Sequence, residues 1–262
     1  MDNKKTKIYV ITHKKYDNIV ENDVYTPLFV GAKGKESFGY LRDDTGDNIS
    51  EKNQYYSELT GLYWIWKNSD SDIAGLNHYR RILVNGFLGT GDLLKKEQIE
   101  KDLESNDVIV YKRKKLGKSV YDHFRSFVSE ENLLISCELF RKFYPEYEET
   151  FNKFLKGNVT ISYSIFIANK DWLDNYCLWL FSYLFELEKE IYKNDPLQHK
   201  RVLGYIAEML LMVYIEHNSF KIKEYYLRYV EGNNDFLANL INDSNILAYI
   251  YYYVFLNLKK IE

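Results

Sequence analysis

The segment Ile73-Ala74-Gly75-Leu76-Asn77-His78-Tyr79-Arg80-Arg81 constrains the fold more than any other stretch of the chain. It opens as a short apolar run of the kind buried in a sheet, and it ends in an imidazole and two guanidiniums. Strand side chains alternate faces, so His78 and Arg80 point one way, and Asn77, Tyr79 and Arg81 the other. Cations at the mouth of a buried strand are costly unless an anion meets them. In open α/β sheets ligands bind beyond the carboxyl ends of the strands, which makes a phosphate-bearing substrate the natural match.

Other runs repeat the pattern. Lys7 to Thr12 reads as a first, central strand and stops at His13-Lys14-Lys15, and Asp107 to Tyr111 runs into Lys112-Arg113-Lys114-Lys115. Val24–Ala32, Ile73–Leu83, Val159–Asn169 and Phe220–Tyr229 complete the expected strands. Tyr55, Leu59, Leu62 and Trp66 recur at helical spacing and predict a helix from about Asn53 to Lys67, with Ser50 as its N-cap. Further helices are expected over Lys95–Glu104, Val120–Phe127, Glu130–Phe143, Glu146–Leu155, Lys170–Tyr192 and His199–Glu216. Strands interspersed with helices predict an α/β fold, a mostly parallel (mixed) sheet flanked by helices, with a helical C-terminal half.

The chain has 262 residues, net charge −3 and 28% charged residues, which gives no electrostatic case for nucleic-acid binding. Cys137 and Cys177 lack metal-type spacing and are expected as buried free thiols. No apolar signal region opens the chain and no run reaches the roughly 20 apolar residues of a membrane span, so the expected location is cytoplasmic. The aromatic tail Ile246–Lys260 is expected to pack on the main domain or on a second copy in a homodimer, or to rest peripherally on the inner face of the membrane. Residues 1–218 are therefore read as one domain, and 219–262 as an extension of a strand and an aromatic helix.

If the first and fourth strands are neighbours, His13, Lys14, His78, Arg80 and Arg81 converge, and such donors stabilise charge building on a departing diphosphate. The alternative is that Arg80 and Arg81 pair with Asp43, Asp44 or Asp47. That acidic loop is the one cluster resembling a site for Mg2+ or Mn2+, although it also suits a turn before a helix. As general base the candidates are, in order, Glu208, Asp122 and His123. Gly-x-Ser-x-Gly, P-loop, Gly-x-Gly-x-x-Gly and zinc spacings are absent, which argues against a triad hydrolase or a dinucleotide oxidoreductase.

Four ordered segments resemble a known family: Ile8–Lys14, Gly39–Ser50, Glu58–Lys67 and Gly75–Arg81, with Gly204-Tyr205-Ile206-Ala207-Glu208 near the end of the likeness. Together they are similar to the bacterial polysaccharide-biosynthesis family known as domain of unknown function 4422, over roughly residues 7 to 217. The resemblance implies a nucleotide-sugar-binding domain of the GT-A kind and a glycosyltransferase of capsule or exopolysaccharide assembly, some relatives being linked to galactofuranose transfer. A UDP-sugar donor and a lipid-linked oligosaccharide acceptor are implied with it. On that reading Thr12, His13, Lys14, Asn77, His78, Arg80 and Arg81 hold the donor diphosphate, while Glu58 or the Asp43–Asp47 loop orients the sugar. The chain departs from relatives in carrying Phe127-Val128 where a second histidine often follows the one near position 123. Two rivals stand beside it: a non-catalytic nucleotide-sugar- or carbohydrate-binding partner subunit, and a sugar-phosphate-modifying enzyme.

Overall fold

The computed structural model describes residues 4–17, 19–193 and 200–230. Strand β1 (Thr6–Thr12) lies between β2 (Tyr25–Phe29) and β4 (Ile73–His78), both parallel to it, and β3 (Leu41–Arg42) extends β2 at the edge. The apolar runs of β1 and β4 are buried almost throughout, as expected for strands covered on both faces. On its other edge β4 pairs antiparallel with β9 (Phe166–Asn169), and β9 pairs antiparallel with β6 (Val108–Tyr111). Strand β10 (Ile222–Tyr229) runs parallel to β6 and then antiparallel to β5 (Arg81–Val84). The strand expected at the start of the 219–262 extension is thus part of the main sheet. Among the described residues that sheet has eight strand pairings, four parallel and four antiparallel, so it is evenly mixed rather than mostly parallel.

Gly75 permits the β4–β9 contact, since a Cβ there would meet the Phe166 carbonyl at 2.5 Å and the Ile167 Cα at 2.8 Å. Helix α7 (Lys170–Ile191) packs against β4 and β9 and against α2 (Leu59–Asn68), α5 (Glu130–Phe143) and α8 (Val202–His217). It buries Leu173, Tyr176, Leu180, Leu184 and Leu187, spaced three or four apart along its stripe. The Ser129 hydroxyl caps α5 by accepting from the Asn132 N–H, with Glu130 and Glu131 in the first turn and Arg141 and Lys142 in the last. Cys137 and Cys177 are buried free thiols. The remaining α-helices among the described residues are α1 (Asn53–Tyr56), α3 (Lys96–Asp102), α4 (Val120–Phe124) and α6 (Glu148–Lys156), and β7 (Lys114–Lys115) pairs with β8 (Val159–Thr160) in a separate ribbon.

Several boundaries differ from the sequence expectation, for local reasons. The Asn53–Lys67 helix breaks at Ser57, which takes φ +51°, because the Asn53 amide donates to the Ser57 carbonyl at 2.7 Å and closes the first turn. Ser50 is no N-cap: it sits in a 3-10 turn, and its hydroxyl donates to Asp43 at 2.5 Å. The Ile73–Leu83 strand is a hairpin that turns at Tyr79-Arg80, with His78 opposite Arg81. This ends the simple alternation of faces at His78. Val159–Asn169 is likewise two strands, with a loop over 161–165 between them. The tail Ile246–Lys260 lies outside the described residues, and among these no helix is long and apolar enough to cross a membrane.

Candidate functional site

The parallel register puts Ile11 beside His78, so β1 and β4 end side by side and the Tyr79 N–H donates to the Ile11 carbonyl at 3.0 Å. Buried Tyr79 gathers the cations of both strands. The His13 ring meets it edge-on at 5.5 Å, and the Lys14 ammonium and Arg80 guanidinium lie 5.4 and 5.3 Å from its ring centre. Two adjoining cavities open here, sharing Ile11, Glu58, His78, Arg80 and Arg201 in their walls. The smaller, about 340 Å³, is cationic and polar, with Thr12, His13, Asn53, Ser57 and Lys200. The larger, about 430 Å³, adds Asn77, Arg81, Lys114, His123, Tyr163 and Glu208 and is faced by aromatic rings.

Burial pushes the His78 imidazole down to about 3, and the Arg81, Arg80, His13 and Arg201 charges push the same way. The ring is therefore neutral. Its Nδ1 accepts the Arg80 N–H at 3.2 Å, which places the ring proton on Nε2 and makes that atom a donor. His13 is lowered too, by burial first and then by Arg80, Lys14, Lys35 and Arg201. Arg81 diverges from Arg80 and lies over the Tyr163 ring at 4.0 Å. The Asn77 amide oxygen accepts from the Leu83 N–H at 3.1 Å, whereas its buried Nδ2 has no partner among the described residues.

Glu208 projects from α8 into the larger cavity. Burial raises its carboxyl from about 4.5 to about 7, and the neighbouring Glu58 charge adds to the rise, against the Tyr163 N–H, Arg81 and Arg201. The Tyr163 N–H donates to Glu208 Oε2 at 3.0 Å from a backbone at φ +66°, a left-handed conformation rare for a bulky residue. A carboxyl that gives and takes a proton near neutral pH thus faces two guanidiniums and a neutral imidazole donor.

The profile of the domain of unknown function DUF4422 matches residues 7–219, more than three quarters of the chain. The chain belongs to the DUF4422 family. A search of curated proteins gave no match. Among solved structures it is similar to the apo structure of the WbbM bifunctional glycosyltransferase, with a TM-score of 0.77, 31% identity and 87% of this chain covered. It spans 46% of that protein, less than half of its length.

The segments that carry the DUF4422 resemblance reach the cavities unequally. The ends of β1 and β4 and the α1–α2 break supply Thr12, His13, Glu58, Asn77, His78, Arg80 and Arg81. The acidic loop does not reach them. Asp43 is buried and accepts from the Gly31 and Ala32 N–H groups at 2.8 and 3.0 Å as well as from Ser50. Asp44 holds the Arg42 guanidinium, and Asp47 accepts from the Tyr63 hydroxyl. With these oxygens engaged in building the loop, Asp43, Asp44 and Asp47 do not fit a cation-binding set, nor do they pair with Arg80 or Arg81 as the sequence allowed. Among the described residues no three His, Cys, Asp or Glu side chains are grouped to hold a metal.

Of the base candidates, Glu208 and His123 line the larger cavity, and burial followed by Lys118 and Lys114 lowers His123. Asp122 lies outside the cavity wall, at the start of α4, where it accepts from the Ser119 hydroxyl at 2.6 Å. Sequence reasoning missed Arg201, Lys114, Tyr163 and Tyr205 as wall residues. Tyr205 and Arg201 were within reach, since Tyr205, three before Glu208, shares its helix face, and Arg201 lies four residues before Tyr205.

Proposed function

We propose that this chain transfers a sugar from a nucleotide-diphosphate donor, a UDP-sugar, to a hydroxyl of a growing polysaccharide unit. The observation that carries the reading is the pairing of a cationic strand end with a near-neutral carboxyl across one shared wall. The diphosphate lies against Arg80, Arg201, His13 and Lys200, with His78 Nε2–H as a neutral donor at the scissile oxygen. In a direct displacement Glu208 takes the acceptor hydroxyl proton as the new bond from that oxygen to the anomeric carbon forms. The bond to the diphosphate breaks, and its electron pair stays on the diphosphate oxygen, where the guanidiniums meet the charge.

A scan of UDP-sugars, UDP-galactofuranose included, with and without a chelator tests this. Slow release of free sugar and UDP from one donor is expected, with Arg80→Ala abolishing it. Release of inorganic phosphate would favour a sugar-phosphate enzyme. Donor binding without turnover would favour a non-catalytic partner subunit.

A further inference from the structure

At the end of α4 and in the turn after it, Phe124 is 3% and Val128 2% exposed, yet Phe127 between them is 50% exposed and lines the larger cavity. A lone exposed phenylalanine means little, but this one is organised. Its ring stacks on that of Tyr205 at 5.4 Å and 23°, and His123 meets it edge-on at 5.2 Å. Tyr205 stands three residues before Glu208 on α8, so the ring that Phe127 stacks on and the titrating carboxyl share one helix face. The same wall carries Lys114 and Ser162, together with Ser164, whose buried hydroxyl has no partner among the described residues. An apolar ring face bordered by donors and acceptors, with a proton acceptor beside it, suits a ligand that is apolar on one face and rich in hydroxyls at its edges.

We propose that Phe127 and Tyr205 form the platform on which the terminal sugar ring of a carbohydrate acceptor lies, with a hydroxyl toward Glu208. The two cavities then divide the work: donor diphosphate in the smaller, acceptor glycan in the larger, and reaction at the wall between them. This assignment rests on the transferase reading above. It turns the departure at Phe127-Val128 into a binding feature of this chain.

Saturation-transfer NMR with methyl glycosides of galactopyranose, galactofuranose, glucose and N-acetylglucosamine tests the platform without any turnover. Transfer from aromatic protons to the ring C–H protons of at least one glycoside is expected. Phe127→Ala should weaken it by about tenfold, the scale of one lost aromatic contact. Phe127→Tyr should restore it, and Leu178→Ala, which trims an exposed apolar side chain on α7, should leave it unchanged. No transfer from any glycoside to the wild-type protein, or equal transfer in Phe127→Ala of unchanged melting temperature, overturns the platform. Donor hydrolysis reads the other claim separately: glycoside binding with no hydrolysis sinks the transferase reading, and hydrolysis with no glycoside binding sinks the platform.

Discussion

Glu208→Gln separates the carboxyl's charge from its shape, because glutamine can still accept the Tyr163 N–H. In the folded protein the group titrates at about 7, against about 4.5 when unperturbed. The folded state therefore binds this proton more tightly than the unfolded state. The contribution of Glu208 to stability is largest below about pH 4.5, falls as the pH rises toward 7, and is level above that. A shift from 4.5 to about 7 corresponds to about 3 kcal/mol at 1.36 kcal/mol per unit. The neutral amide escapes this loss, so the variant should match the wild type near pH 4.5 and exceed it by up to about 3 kcal/mol at pH 8. Urea unfolding at half-unit steps from pH 4.5 to 8.5 reads the difference. Transfer should meanwhile drop by about 10²–10⁴, the usual contribution of a positioned base. Parallel stability curves for the two proteins would refute the assignment of a buried, titrating carboxyl, whatever happens to activity.

Glu58→Gln removes one cause of that shift, and the acidic limb of the kcat profile should move to lower pH; an unmoved limb would show that Glu58 does not act on the titrating group. Arg80→Ala should weaken UDP binding by about tenfold or more in calorimetry but uridine binding hardly at all; equal losses would return Arg80 to a purely structural role. Asp43→Ala leaves two buried N–H groups and a hydroxyl without their acceptor, so urea unfolding should show a loss of about 2–4 kcal/mol. Unchanged stability with lost activation by Mn2+ would instead favour a metal role. Gly75→Ala drives a methyl into the β9 backbone and should cost several degrees of melting temperature or soluble yield; a neutral result would refute the close β4–β9 approach.

What the sequence disclosed, it disclosed through local pattern. The apolar runs of β1, β4 and β6, and the stripes of α5 and α7, are set by neighbours in the chain and were legible. The hairpin at Tyr79-Arg80 was not, because it contains neither glycine nor proline; His78 Nδ1 on the Arg80 N–H helps form the turn. The acidic loop allowed two readings, a turn before a helix and a cation site. Its composition is that of a cation site, but Gly31, Ala32, Ser50, Arg42 and Tyr63, three of them outside the motif, take up its oxygens. The convergence of His13, Lys14, His78, Arg80 and Arg81 depends on β1 and β4 being neighbours; their parallel pairing meets that condition, but Arg81 turns away over the Tyr163 ring. The coupling of Glu58 to Glu208 depends on a helix break and on two segments 150 residues apart, which no local pattern encodes.

The position of β10 has a consequence for how the protein comes to be folded. Residues 222–229 fill the edges of β5 and β6, and just beyond them the Val230 N–H donates to the Arg80 carbonyl at 3.0 Å. The turn that presents Arg80 is thus held by a backbone made 150 residues later. Loop closure over that span is a late event, so the amino-terminal strands can assemble during synthesis while the cationic turn waits for β10. A fragment ending at residue 219, where the family match stops, would leave the edges of β5 and β6 bare and Arg80 without its anchor. Aggregation, rather than a weakened transferase, is the outcome to expect from such a cut.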